Sequence, residues 1–304
     1  MSTGATPFED SPYNSVEAWT QEALSVVPTP EGVNSRELVL QAIEMRGPAR
    51  LPFSFVEPLQ SDFFELCELE RRLNPHRKLP MGESYTDVWQ VDHEVAKGLF
   101  DRVVEHPLRD LSDLSDYEFP AVDELVDLNT LRPFVQRACG VGKYIVAADP
   151  VLLFERLRSL MGFESMILAP RKQAARFSDL LDSLAELTVK SVESLGRLEG
   201  VDSFMSWQDF GAQSGLMIRV EEFRELYKPG LARVVCATHE QGLRFVLHSC
   251  GELRELIPDF IEIGVDVLQL DQAKLLGYEF LSFTNCFNGS LSLLTVQSFK
   301  LHFA

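Results

Sequence analysis

Basic residues are scarce in this chain: 28 lysines and arginines stand against 46 aspartates and glutamates, a net charge of -18 over 304 residues. That imbalance repels phosphate backbones and anionic lipid surfaces at any separation inside a Debye length, which argues against nucleic acid and membranes as partners. No run of 18 apolar residues occurs, and the opening MSTGATPFEDSPYNS has neither a basic region nor an apolar stretch of signal-peptide type. A cytoplasmic protein is therefore expected. Cysteine is sparse as well. Five residues, at 67, 139, 236, 250 and 286, are odd in number and widely spaced, unlike the disulfide framework of a secreted domain. Missing too are a G-x-G-x-x-G turn after a strand and a G-x-x-x-x-G-K-[ST] loop, so nothing marks a dinucleotide or triphosphate cradle.

What is present suffices for a large core: 45% of residues are hydrophobic and 24% charged. Residues 1–33, rich in Ser, Thr, Pro and Glu, read as a flexible lead-in with a short helix near 16–27, and residues 34–304 as one domain. Asn34 or Ser35 can cap a helix carrying Leu38, Leu40, Ala42, Ile43 and Met45, which Gly47-Pro48 stops. Leu51–Val56 reads as a buried strand, Ser61–Arg72 as an acidic helix and Tyr85–His93 as a strand. The Asp-rich run between Glu105 and Pro120 reads as a solvated surface.

From Lys143 the alternation becomes regular. Strands are expected at 144–148, 202–207, 244–247, 265–270 and 290–296, with helices at 151–161, 172–198, 220–241, 253–263 and 275–282. Near-continuous apolar strands separated by helices imply a parallel sheet covered on its outside. With strands near 53 and 89 the count reaches seven. Glu57, His93, Asp149, Asp209, His248 and Asp271 then fall at or just after carboxyl ends. In a (β/α)8 TIM-type barrel those ends build the active site, and this α/β architecture is preferred over a doubly wound open sheet.

The sharpest local pattern is Leu247-His248-Ser249-Cys250-Gly251. Residues i and i+2 of a strand share a face, so His248 and Cys250 can aim at one point. An imidazole and a thiolate are good ligands for Zn2+. The competing reading is a buried cysteine beside a hydrogen-bonded histidine. Asp209 and Asp271 flank the His248 strand as candidate catalytic acids, while Glu57, His93 and Gln272 are candidate substrate contacts. Against this, a strand-end carboxylate often does no more than cap the next helix. Cys286 precedes its strand and is expected on the opposite face of the barrel.

Gln208-Asp-Phe-Gly-Ala-Gln-Ser-Gly-Leu-Met-Ile218, Phe223-Arg-Glu-Leu-Tyr-Lys-Pro229, Phe245-Val-Leu-His-Ser-Cys-Gly251 and Leu256-Ile-Pro-Asp-Phe-Ile-Glu-Ile-Gly-Val-Asp-Val267 together resemble the uroporphyrinogen decarboxylase superfamily, in particular its corrinoid-linked methyltransferase branch. The resemblance implies a (β/α)8 barrel, and for that branch an H-x-C…C zinc site. His248 and Cys250 match the first two ligands. It also implies a small-molecule, thiol or pterin-type methyl donor or acceptor, and a corrinoid carried by a partner protein. The decarboxylases of the superfamily carry an arginine-rich first strand; Phe53-Ser-Phe-Val-Glu-Pro58 stands at that place here, without arginines to hold substrate carboxylates. The third family cysteine lies near the eighth strand. A barrel lacking its eighth β/α unit is accordingly expected, with a metal-free carboxy-lyase or an inactive truncated relic as the alternatives to a methyltransferase.

Overall fold

The computed structural model describes residues 15–56, 59–96, 101–270 and the backbone of 292–295. Helix α1 (Val16–Ala23) is capped by Ser15, whose hydroxyl accepts the Ala18 N–H at 3.0 Å. Trp19 is buried on this helix with its ring 5.2 Å from Phe64, so part of the expected lead-in is docked on the core. Helix α2 (Ser35–Ile43) starts where the capping argument places it, with the Asn34 side chain accepting the Glu37 N–H at 2.9 Å.

Two of the expected strands belong elsewhere. Strand β1 (Ser54–Val56) folds back antiparallel on β2 (Leu59–Ser61), and Phe55 is 46% exposed. The parallel sheet begins instead at β3 (Phe63–Glu65), inside the stretch read as helical; α3 (Leu66–Leu73) follows directly. The run expected as one strand at 85–93 is split between β4 (Ser84–Thr86) and β5 (Asp92–Glu94), which with β6 (Arg102–Glu105) form an antiparallel accessory sheet. An apolar run signals burial but not the sheet that receives it, and three-residue strands are too short to show a period.

Two helices that the sequence reading did not assign come next, and from β7 onward the described elements follow the expected order; the helix expected at 275–282 lies outside the described residues. Helices α4 (Val122–Leu125) and α5 (Leu128–Gly140) lead to β7 (Tyr144–Ala148). Helices α6 (Leu153–Met161), α7 (Phe163–Lys172) and α8 (Ala174–Leu195) precede β8 (Ser203–Trp207). A small hairpin, β9 (Gly211–Ala212) and β10 (Gly215–Leu216), comes before α9 (Val220–Glu222), a π-helical turn at 223–227 and α10 (Lys228–Glu240). Then follow β11 (Arg244–Ser249), α11 (Ile257–Glu262), β12 (Val267–Leu270) and β13 (Ser292–Thr295). The six strands β3, β7, β8, β11, β12 and β13 lie side by side in chain order, every neighbouring pair parallel. Sequential order without a switch point is the arrangement of a TIM-type α/β fold. The described pairings do not include a contact that closes β13 on β3. No helix among the described residues is long and apolar enough to cross a membrane.

The period-two alternation of the strands sorts the core into two layers. Ile145, Ala147, Phe204, Phe245, Leu247 and Leu268 pack outward against the helices. Phe63, Tyr144, Val146, Met205, Val246 and Val267 face inward, where Val39 of α2 joins them. Helix α2 therefore plugs the amino-terminal end of the sheet. Three aspartates stand immediately before strands at that end, and each accepts a backbone N–H. Asp62 takes that of Phe53, Asp202 that of Ile145 and Asp266 that of Phe245, at 2.8–2.9 Å. Arg50 pairs with Asp62, Arg36 with Asp202, and His239 and Arg244 with Asp266.

Candidate metal centre

The inward face of the sheet changes character toward the carboxyl ends of the strands, from Val246 and Met205 to His248, Trp207 and Gln269. His248 is in register with Trp207 on one side and Gln269 on the other. The rings of Trp207 and His248 lie 6.4 Å apart. His248 Nδ1 is 2.7 Å from Gln269 Oε1. An amide oxygen can only accept, so Nδ1 carries the proton and the lone pair of Nε2 is left for another partner. Nε2 stands 3.6 Å from Cys250 Sγ and 4.0 Å from Asp209 Oδ1. One donor atom each from Asp209, His248 and Cys250 lie within 4.8 Å of one another.

The donor set suits zinc. Nitrogen and sulfur ligands at ordinary Zn–N and Zn–S lengths stand about 3.5 Å apart in a tetrahedron, and 3.6 Å is observed here. The hydrogen bond from Nδ1 to Gln269 is of the kind that orients metal-bound imidazoles.

Backbone and side-chain hydrogen bonds between two successive loops hold the three donors. Gln208 N–H donates to His248 O at 2.9 Å, the Ser249 hydroxyl to Gln208 O at 2.7 Å, Cys250 N–H to Asp209 Oδ1 at 2.8 Å, and Glu252 N–H to Ala212 O at 2.9 Å. Beneath them, Gln208 Nε2 donates to the Ser206 hydroxyl at 2.7 Å, and Ser206 donates to Asp149. Gln208 Oε1 accepts the Phe154 N–H at 2.8 Å. Asp149, expected at a strand end, is buried there and accepts the N–H groups of Val151 and Leu152; burial pushes its carboxyl up, against the pull of these bonds.

Two acids that sequence reasoning overlooked lie along the same rim. Glu155, in the first turn of α6, has Oε2 2.5 Å from Arg158 Nη2, while Oε1 is buried without a hydrogen-bond partner. Burial raises its pKa, Arg158 opposes the shift, and the Asp209 carboxylate adds to it. Glu65 ends the first parallel strand on the same face as Phe63, and burial with the nearby Glu68 pushes it up to about 7. It occupies the first-strand position that the sequence reading gave to Glu57.

His93 is placed differently from expectation. It lies on the accessory sheet and not on a parallel-strand rim, its Nε2 3.0 Å from Asp87 Oδ2 and its ring stacked on Tyr85 at 4.9 Å. The accessory sheet meets α6 through Arg156, which stacks over Trp89 at 4.0 Å and approaches Asp87 at 3.9 Å. Glu57, Asp271, Gln272 and Cys286 lie outside the described residues.

Residues 103–295, more than half of the chain, match the family model for uroporphyrinogen decarboxylase (URO-D), and the chain belongs to that family. Among curated proteins it is 25% identical over 185 residues to the uroporphyrinogen decarboxylase of Geobacillus kaustophilus (strain HTA426), covering 56% of this chain and 49% of that protein. It is 24% identical over 197 residues to the enzyme of the same name from Geobacillus sp. (strain WCH70), covering 60% and 52%. The chain thus spans about half the length of the curated relatives it matches. Among solved structures, a methyltransferase from Methanosarcina mazei superposes with a TM-score of 0.58 at 17% identity, covering 86% of this chain and 82% of that one. This likeness supports the fold.

Proposed function

We propose that this URO-D family member is a methyltransferase that holds zinc through His248 and Cys250 and moves a methyl group between a small molecule, of thiol or pterin type, and a corrinoid on a partner protein. The observation that carries this reading is the convergence of an imidazole nitrogen and a thiol 3.6 Å apart at the carboxyl ends of the strands. When bound, zinc supplies Lewis acidity and keeps a coordinated thiol deprotonated at neutral pH. Gln269 fixes the histidine tautomer, Trp207 walls the space beside it, and the hydrogen bonds between the two loops hold the donors before any ligand arrives.

The names of the curated relatives favour a second reading, a metal-free carboxy-lyase acting on a carboxylated ring. That substrate needs cationic grips. Arg36, Arg50 and Arg244 are engaged by aspartates at the opposite end of the sheet. The net charge of -18 also opposes a polyanionic substrate.

Metal analysis and turnover separate the two readings. The purified chain is expected to carry one zinc that His248→Ala and Cys250→Ala each remove, and to demethylate methylcobalamin in the presence of a thiol. Porphyrinogen decarboxylation, or zinc content unchanged in both variants, would overturn the proposal. Gln269→Leu, which deprives Nδ1–H of its acceptor, should weaken zinc binding roughly 10–100-fold in competition with a chromophoric chelator, while Gln269→Glu should preserve it.

A further inference from the structure

The geometry points to Asp209 as the third protein ligand of the metal, making an imidazole–thiolate–carboxylate site with one position open; this rests on the zinc-binding reading above. Asp209 Oδ1 is 4.0 Å from His248 Nε2, and all three donors fall within 4.8 Å. Two ligand atoms on one tetrahedral zinc stand roughly 3.4–3.6 Å apart, so closing the 4.0 Å gap between Asp209 and His248 onto an ion takes about half an ångström.

The carboxylate is also held in place for this role. Its Oδ1 accepts the Cys250 N–H at 2.8 Å, which ties the orientation of one donor to the backbone of another. That bond uses one lone pair of the oxygen. The remaining lone pairs of the carboxylate stay available to a cation.

Charge supports the same assignment. Among the described residues, His248 is the one basic side chain within ion-pair distance of Asp209. Asp209 also stands near enough to Glu155 to raise its pKa, and Glu155 Oε1 is buried without a hydrogen-bond partner. Thiolate and carboxylate together neutralise a divalent ion, so a bound zinc removes the repulsion between Asp209, Glu155 and an ionised Cys250. A fourth, open position is what a zinc that takes up a substrate requires.

A purely orienting role, in which Asp209 does no more than receive the Cys250 N–H, predicts something different. Asn retains the accepting oxygen, so Asp209→Asn would then bind metal like the wild type. If Asp209 is a ligand, zinc affinity measured by chelator competition on the full chain should fall at least about 100-fold in Asp209→Ala, beyond the loss in Gln269→Leu, which removes only an orienting partner. Asp209→Asn should fall between Asp209→Ala and wild type, and Asp209→Cys should restore tight binding. With Co2+ in place of zinc, Asp209→Cys should add a second thiolate-to-cobalt charge-transfer contribution to that from Cys250.

Wild-type affinity in Asp209→Asn, with binding still lost in His248→Ala and Cys250→Ala, would overturn the assignment and leave the zinc reading standing. A wild-type chain that takes up no stoichiometric zinc would overturn both. Thermal unfolding of the metal-free variants separates lost coordination from lost folding; an unfolded Asp209→Ala leaves the Asp209→Asn and Asp209→Cys comparison decisive.

Discussion

Replacing Gly251 with alanine is expected to destabilise the protein by about 3 kcal/mol or more and to abolish the zinc binding proposed for the site. Gly251 has φ +79°, and a Cβ there would come within 2.4 Å of the Gly211 carbonyl carbon and 2.6 Å of its oxygen. Those atoms are backbone and cannot rotate away. The neighbouring loop must move, and with it the Cys250 N–H bond to Asp209 and the Glu252 N–H bond to Ala212. A suitable control is Gly242→Ala. Gly242 has φ +73° with no atom within 4 Å of the added Cβ, so it bears the left-handed backbone cost of about 1 kcal/mol or somewhat more without the collision. Denaturant unfolding of both variants, together with zinc content, checks the prediction. Equal losses in the two would show that loop contact is not what holds the site.

The second large effect is expected at the other end of the sheet. Asp62 is fully buried and receives two hydrogen bonds from Arg50, one from the Ser35 hydroxyl and one from the Phe53 N–H, all at 2.7–2.9 Å. Burial alone would raise its pKa; the Arg50 bonds, then those from Phe53 and Ser35, outweigh it, so the carboxyl sits below its ordinary value. Lys143, pulled down to about 8 by burial, donates to the neighbouring Ser61 carbonyl and is also favoured by the Asp62 charge. Asp62→Asn leaves these cations without their counter-charge and should cost about 3 kcal/mol, the lower end for breaking a buried pair because Arg50 is one-quarter exposed. Because the folded-state pKa is depressed, this stabilisation is fully present above the unfolded value of about 3.9 and is lost as pH falls through the lower folded value. The stability difference between wild type and Asp62→Asn should therefore be constant near neutrality and narrow below about pH 4. A gap that persists unchanged into acid would locate the effect in packing instead of charge.

Both predictions depend on contacts between segments far apart in the chain, and such contacts mark where sequence reasoning ran out. Asp62 reads as one more acid in an acidic helix, because nothing local reveals that Arg50 and Lys143 surround it. The same misreading hid β3, whose three residues sit between Asp62 and the start of α3. Leu51–Val56 had the composition of a core strand, yet it pairs antiparallel with β2. Gln269 was legible in principle: it lies one alternation before Asp271 on a strand already assigned, and register alone sets it beside His248.

The sequence suffices for the repeating strand-helix order from 144 to 270, because each strand there is long and apolar enough to announce burial on both faces. It also determined that His248 and Cys250 point the same way, since a spacing of two along a strand is a property of the local backbone. Tertiary structure alone decided which strand opens the parallel sheet, which oxygen faces the histidine, and where buried aspartates find cations. Those outcomes depend on register and loop contact between residues 12 to 200 positions apart, from the 12-residue separation of Arg50 from Asp62 and the 21-residue separation of His248 from Gln269 to the 200-residue separation of Glu44 from Arg244. No local pattern of side chains encodes distances of that kind.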